Sequence, residues 1–353
     1  MSGAPGLVVA GAGMAGLAAA ARARELGASV LVLEKGDRPG GSMRLSSGVV
    51  WRYREWERFR AECPRGDERL QRVVHETLDD ALAWLESLGA PVVARETGTP
   101  FTTGVRFDPD GLTGALARAA GDVRVREPLR ELPRDVPVVL ATGGFQGDLD
   151  LVRTHVTDEA DALVLRASPW SAGDGLRLAL ARGAELSDGM DEFYGRNMPA
   201  AAHLPRDRFV GLAQLYARFA TVRNARGETY EARTWSEIDV VQWTARQPRA
   251  RAWYAVPDVA LAERVRDRAV GDMIAAARAV GAPVERRGRV TEVEVVAGIT
   301  TTLGGIRIDE RARAAPGVHV CGADAGGIAT GGYASGLAAA LVTGRIAAEQ
   351  ALA

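Results

Sequence analysis

The chain has 353 residues, 47% of them hydrophobic and 25% charged, with a formal net charge of −1. That length suits one large or two ordinary domains with a full core, and the balanced charge argues against nucleic acid as the main partner. Two distant cysteines, Cys63 and Cys321, and the histidines His75, His155, His203 and His319 lack metal-ligand spacing, so no metal is expected. Lys35 is the sole lysine, and the scattered arginines read mostly as solvated surface. The first strand starts at residue 7, which leaves no room for a signal peptide, and no apolar run reaches about 18 residues. The expectation is a soluble, cytoplasmic protein without a membrane span.

Residues 7–34, LVVAGAGMAGLAAAARARELGASVLVLE, read as one dinucleotide-binding unit. Leu7–Ala10 is an apolar strand and Gly11 to Gly16 a G-x-G-x-x-G turn. Residues 17–26 form a small-residue helix ended by Gly27, and residues 29–33 a second strand closed by Glu34. Gly11 allows the tight turn, Gly13 lets the backbone approach a pyrophosphate, and Gly16 lets helix and strand pack closely. The helix start, with Met14 and Ala15, offers unpaired N–H groups to phosphates. Glu34 can accept hydrogen bonds from a ribose diol and would repel a 2′-phosphate. The competing reading is a Gly/Ala-rich turn with no ligand.

After Glu34, KGDRPGGSMRLSSGVVW (35–51) is a loop whose backbone can follow a cofactor, with hydroxyls at Ser42, Ser46 and Ser47. Residues 52–89 read as helical, with Leu78, Ala81, Leu82 and Leu85 on one face. Asp110-Gly111 precedes a helix over 112–120. A buried strand over 137–141 runs into a second glycine turn, Thr142-Gly143-Gly144-Phe145. Residues 170–186 give a turn at Gly173-Asp174-Gly175 and a helix ending at Gly183. Residues 187–280 hold three of the seven tryptophans and four of the six tyrosines, and read as an inserted second domain. From Val290 strands and glycine turns return, and residues 337–353 close the chain as a small-residue helix.

Taken together, these segments resemble the FAD-dependent fumarate reductase/succinate dehydrogenase flavoprotein superfamily, nearer its 3-ketosteroid Δ1-dehydrogenase and tricarballylate dehydrogenase-like members. The resemblance covers nearly the whole chain. It rests on GAGMAG (11–16) with Glu34, GGSMRLSSGVVW (40–51), ATGGF (141–145), AGDG (172–175), TTLGGIRID (301–309) and VHVCGADAGG (318–327) followed by GLAAALVTGRIAAE (336–349), in that order. It implies an α/β fold. A Rossmann-like FAD-binding domain of glutathione-reductase type would comprise residues 1–186 and 281–353, with an inserted α+β capping domain at 187–280. The active site would lie at their junction, over the flavin ring.

By the same resemblance, Gly11, Gly13, Gly16 and Glu34, with Met14, Ala15 and Lys35, would hold the ADP half of FAD. Gly40, Gly41, Ser42, Ser46 and Gly48 would run along the pyrophosphate and flavin. Thr142, Gly143 and Gly144 would approach the adenine side, together with Asp174. Asp324, where the family usually has Glu, would bond the ribityl chain beside Gly322. Leu303, Gly304 and Gly305 would lie near the flavin ring, and Gly336 and Leu337 would be further cofactor contacts. The early loop has no histidine, which implies non-covalent FAD.

Departures from the family pattern point away from fumarate and succinate. Thr300 and Thr301 stand where dicarboxylate enzymes have histidine, GGIATGGYASGL (326–337) has no arginine, and GETYEAR (227–233) puts Arg233 where an acid is usual. Arg264, near AWYAVPD (252–258), falls outside the register of the catalytic arginine. A dicarboxylate needs paired cationic clamps. Tyr333 falls where ketosteroid and tricarballylate-type members carry Tyr-Pro-Gly, but Ala334 and Ser335 replace Pro and Gly. In the steroid enzymes that tyrosine donates a hydrogen bond to the substrate ketone, which acidifies its α-hydrogen; the competing role for Tyr333 is packing. Glu237 aligns approximately with the steroid enzymes' basic tyrosine, and Tyr194 and Arg196 precede the cap. For all three the alternative is a surface residue.

The leading expectation is hydride transfer to or from flavin N5, forming or reducing a C=C bond next to a carbonyl. The partners would be a small-molecule carbonyl substrate and an electron acceptor or donor of unassigned identity. A flavin oxidase acting on a C–N or C–O bond and a non-catalytic FAD-binding module are the alternatives.

Overall fold

A computed structural model describes residues 5–353, which divide into two compact units. The first comprises residues 5–148, 167–192 and 301–353, and the second residues 149–166 and 193–300. Sequence reading placed the division at 186/187 and 280/281. The second unit also takes in residues 149–166, because Val164–Leu165 pairs with the long strand Val290–Thr302, and it runs along that strand to Thr300.

The first unit is built on a six-stranded sheet. Its order is Arg313–Ala315, Val318–Val320, Val138–Leu140, Leu7–Ala10, Val30–Glu34 and Val123–Val125. All neighbours are parallel except the antiparallel edge pair Arg313–Ala315 and Val318–Val320. Leu7–Ala10, Val138–Leu140 and Val318–Val320 are buried throughout, as central parallel strands covered by helices require. The helix Met14–Glu25 packs on Pro109–Ala120 and on the closing helix Gly336–Ala351. Small residues set that approach: a Cβ on Gly344 would lie 2.3 Å from the Ala15 carbonyl oxygen.

The stretch 52–89 is not one helix. Val49–Tyr53 is a strand, paired antiparallel with Thr102–Phe107, which also pairs with Val92–Ala94. The chain then forms Trp56–Glu62 and Glu68–Ser87, separated by Pro64 and Gly66. Asp67 restarts the helix by accepting the N–H groups of Arg69 and Leu70. The periodicity over Leu78–Leu85 corresponds to helix, whereas the alternation in VVWRY is too short to mark a strand without its partner.

In the second unit Val290–Thr302 is the spine. It pairs antiparallel with Arg251–Pro257 and Val284–Arg287, parallel with Val164–Leu165, and also with Phe193–Pro199. Thr221–Arg223 extends the sheet beyond Arg251–Pro257, and Thr229–Tyr230 follows it. Helices Ile238–Ala245 and Val270–Ala279 bury Val240, Val241, Met273 and Ile274. Among the described residues no helix is long and apolar enough to cross a membrane.

Candidate functional site

The three glycines of the first turn do different work. A Cβ on Gly11 (φ +101°) would lie 2.2 Å from the Ala141 oxygen, and one on Gly16 would lie 1.9 Å from the Gly11 oxygen. Both are demanded by packing. Around a Cβ on Gly13 there is nothing within 4 Å, and its φ of −79° is ordinary. Gly13 therefore keeps an open approach to the start of the helix Met14–Glu25, where the first N–H groups lack partners. The loop 40–48 lies alongside. Gly40 N–H donates to the Ala12 oxygen at 2.7 Å, and a Cβ on Gly41 would sit 3.5 Å from Gly13 Cα. Gly48 crosses Phe107, whose oxygen would be 2.0 Å from a Cβ. Ser42 Oγ accepts the Ser168 N–H at 2.9 Å. The Ser46 hydroxyl, expected on the cofactor, closes its own turn, donating to the Met43 oxygen and accepting the Gly48 N–H.

Glu34 is buried at the end of its strand. Its Oε2 accepts the Ala12 N–H at 2.7 Å and its Oε1 the Gly36 N–H at 2.6 Å. Each oxygen retains acceptor capacity for a diol. Lys35 and Asp174 form an ion pair at 2.8 Å, so Lys35 is not an isolated cation for a phosphate. The open Gly13, the helix start and the fixed carboxylate together suit the ADP half of FAD.

Asp324, expected on the ribityl chain, also has partners within the protein. It is 1% exposed, and its oxygens face the 142–144 turn: Oδ2 accepts the Thr142 N–H and hydroxyl, and Oδ1 accepts the Gly144 N–H at 2.8 Å. Burial pushes its carboxyl above the ordinary range against the pull of these donors. Thr142 Oγ1 also accepts the Gly175 N–H, which ties in the AGDG turn. Gly143 and Gly144 take φ values of +98° and +83°. Gly304 and Gly305 are buried, their Cβ positions 2.5 Å from Met190 Cα and 2.4 Å from the main-chain oxygen of Asp324; Leu303 is half-buried. Gly322 rests on the first helix, 2.8 Å from Ala15 Cβ by the same measure. At the closing helix, Ser335 Oγ accepts the Ala338 N–H, Gly336 is exposed, and Leu337 is half-buried. The N–H groups of Gly336 and Leu337 have no intrahelical partner.

Tyr333 stands two residues before that cap. The preceding Gly332 crosses Glu62 so closely that a Cβ would lie 1.6 Å from its oxygen. The Tyr53 hydroxyl donates to the Tyr333 oxygen at 2.6 Å, the Tyr333 N–H bonds to the Cys63 thiol, and the Trp51 ring lies 5.3 Å from the Tyr333 ring. The main chain is thus pinned while the side chain stays half-buried.

The second unit brings together the other three candidates. Arg196, 4% exposed, donates to the Ser236 oxygen, and its guanidinium lies 5.0 Å from the Tyr194 ring. Glu237 is 6% exposed, not the surface acid of the alternative reading, and adopts φ +56° at the cap of Ile238–Ala245. Burial pushes its carboxyl up to about 7, although Arg196 and the N–H groups of Arg218 and Ala217 pull it down. Tyr216 and Tyr254 are fully buried, their rings edge to face at 5.5 Å, and burial beside Glu237 pushes both phenols well above their usual range. Asn197 Nδ2 donates to Tyr254 Oη at 2.7 Å and to Thr244 Oγ1 at 2.9 Å. Sequence reading missed Tyr216, Tyr254 and Asn197; the crowding of tyrosines between 187 and 280 was their only signal.

Residues 6–136 and 105–337 match the FAD binding domain family. Over 246 residues the chain is 24% identical to the vinyl phenol reductase of Lactiplantibacillus plantarum (strain ATCC BAA-793 / NCIMB 8826 / WCFS1), a match covering 54% of this chain and 48% of that protein. The chain thus spans about half the length of that curated relative. Among solved structures it is similar to the open conformation of a flavocytochrome c3 fumarate reductase, with 20% identity, a TM-score of 0.73, and coverage of 99% of this chain and 78% of that one. It is also similar to a 3-ketosteroid Δ1-dehydrogenase from Sterolibacterium denitrificans, with 16% identity, a TM-score of 0.73 and 99% of each chain covered. A 3-ketosteroid-Δ4-(5α)-dehydrogenase from Rhodococcus jostii RHA1 matches at 20% identity and TM-score 0.70, over 99% of this chain and 97% of that one. The chain belongs to the FAD binding domain family, and its fold is that of the flavoprotein fumarate reductases and 3-ketosteroid dehydrogenases.

Proposed function

We propose that this flavoprotein forms or reduces a C=C bond conjugated to a carbonyl, on a small organic substrate less charged than fumarate, with FAD held non-covalently. When bound, FAD supplies a ring nitrogen, N5, that takes or gives hydride. The observation that carries the reading is Tyr333: a pinned main chain, a half-buried phenol and a helix cap two residues on. A phenol so placed donates a hydrogen bond to a carbonyl oxygen and stabilises the enolate-like charge that develops there. The segment 325–337 around it contains no cation, so it offers nothing to clamp a carboxylate. Glu237, titrating near neutral pH, is proposed to hold or release the proton, with Arg196 and Tyr194 setting its surroundings. The name of the Lactiplantibacillus relative, a vinyl phenol reductase, also describes reduction of a conjugated C=C bond.

The test is anaerobic bleaching of the flavin band by saturated cyclic ketones and acyl compounds, and its return with enones, with succinate and fumarate as controls. The expected result is a response to a ketone or enone pair that is strongly slowed in Tyr333→Phe. A response to succinate or fumarate, or peroxide release from an amine or alcohol without C=C chemistry, would overturn the proposal.

A further inference from the structure

We infer that Trp170 is the platform on which the adenine ring of FAD stacks. The inference uses the cofactor alone and is independent of the reaction proposed above. Trp170 is 46% exposed, although an indole is the side chain with most apolar surface to remove from water. It is nevertheless seated. A Cβ on Gly36 would lie 2.7 Å from Trp170 Cδ1, 3.0 Å from Trp170 Nε1 and 2.9 Å from Glu34 Oε1. Gly36 has no unusual φ, so its missing side chain matters for space: the indole edge and the Glu34 carboxylate share that space.

The segment bearing Trp170 is tied to the cofactor loops on both sides. Ser168 N–H donates to Ser42 Oγ at 2.9 Å, and Gly147 N–H donates to the Ser171 oxygen at 2.8 Å. The Glu34 strand is closed by main-chain bonds, Arg126 N–H to the Gly36 carbonyl at 2.8 Å and Glu127 N–H to the Glu34 carbonyl at 2.9 Å. Val125, paired with Glu34 across the sheet, is 36% exposed at the same sheet end. Glu34 is the acceptor suited to the ribose diol, and adenine leaves that ribose from the carbon next to the 2′-hydroxyl. A base attached there comes within reach of the indole beside Gly36. Its flat face meets an aromatic surface, and base–aromatic stacking adds affinity without requiring any particular hydrogen bond.

FMN carries the isoalloxazine and one phosphate but no adenosine, so it separates this contact from the rest of the site. Holoprotein is diluted and the FAD dissociation constant read from recovered flavin fluorescence; the same proteins are stripped and reloaded with FMN. Trp170→Ala should loosen FAD by about tenfold or more, equivalent to ~1.4 kcal/mol. Trp170→Phe, which keeps a ring, should lose much less, and both variants should bind FMN as the parent does. Should Trp170→Ala fail to fold, Trp170→Leu against Trp170→Phe makes the same comparison of an apolar side chain with and without a ring. Unchanged FAD affinity in the ring-less variant, or an equal loosening of FAD and FMN, would overturn the inference.

Discussion

Asp324 and Thr142 are joined twice, by the Thr142 N–H and by its hydroxyl, so an acid from the late loop fixes the glycine turn that follows the strand Val138–Leu140. Asp324→Asn would turn an amide N–H₂ toward donors that now point at an acceptor. Leaving buried donors unmade costs about 1–3 kcal/mol. A drop of that size in urea unfolding, together with weaker FAD retention, is expected. Full stability with only the flavin spectrum altered would instead return Asp324 to a direct cofactor contact.

The glycine turn gives a paired prediction. Gly16→Ala forces a methyl group to within 1.9 Å of the Gly11 oxygen, so the variant should fold poorly or not at all. Gly13→Ala meets nothing within 4 Å and suits its φ, so its urea midpoint should match the parent. If the space at Gly13 belongs to the pyrophosphate, that stable variant should lose FAD on gel filtration, read from the ratio of flavin to protein absorbance.

Removing one hydrogen-bond donor to a developing oxyanion typically lowers turnover by about 10²–10³-fold. Tyr333→Phe keeps the ring against Trp51 and leaves the main-chain bond from Tyr53 in place. Turnover should therefore fall by about a hundredfold with KM and melting temperature little changed. A loss of stability with turnover intact would make Tyr333 a packing residue.

Glu237 sets a pH dependence. Its carboxyl titrates at about 7 in the folded chain against an ordinary 4.5, so the folded protein keeps a proton that the unfolded chain has already released. The resulting stabilisation is complete below 4.5, declines as pH rises and is gone above about 7. Over that window it amounts to about 3 kcal/mol. Glu237→Gln should flatten this part of a stability-versus-pH curve from urea titrations and gain on the parent at pH 8. If Glu237 also exchanges the substrate proton, the variant should lose a pH–rate limb near 7.

The parts of the molecule legible in the sequence are those where chemistry leaves one choice of residue. Gly11 and Gly16 are such positions, since any side chain there would strike the neighbouring backbone. Glu34 is another, an acid at a strand end beside a helix start. Direction was not legible. Asp324 and Ser46 carry the polar atoms expected of cofactor ligands, yet Asp324 bonds the 142–144 turn and Ser46 closes its own. Glu237 looks like any surface acid in the string EIDVVQW, yet it is buried and interacts electrostatically with Tyr216, Tyr254 and Arg196, none of them its neighbour in sequence. Trp170 carries no motif; its meaning comes from Gly36, more than a hundred residues earlier.

Lys35, the single lysine of the chain, also makes the cofactor edge addressable by reagents. A lysine-specific protease has one internal bond to cut, Lys35–Gly36, and amine-directed labels have one side chain to modify. Lys35 is held by Asp174 at 2.8 Å, and Gly36 is buried. Cleavage therefore waits on local opening of this edge, and its rate counts those openings one site at a time.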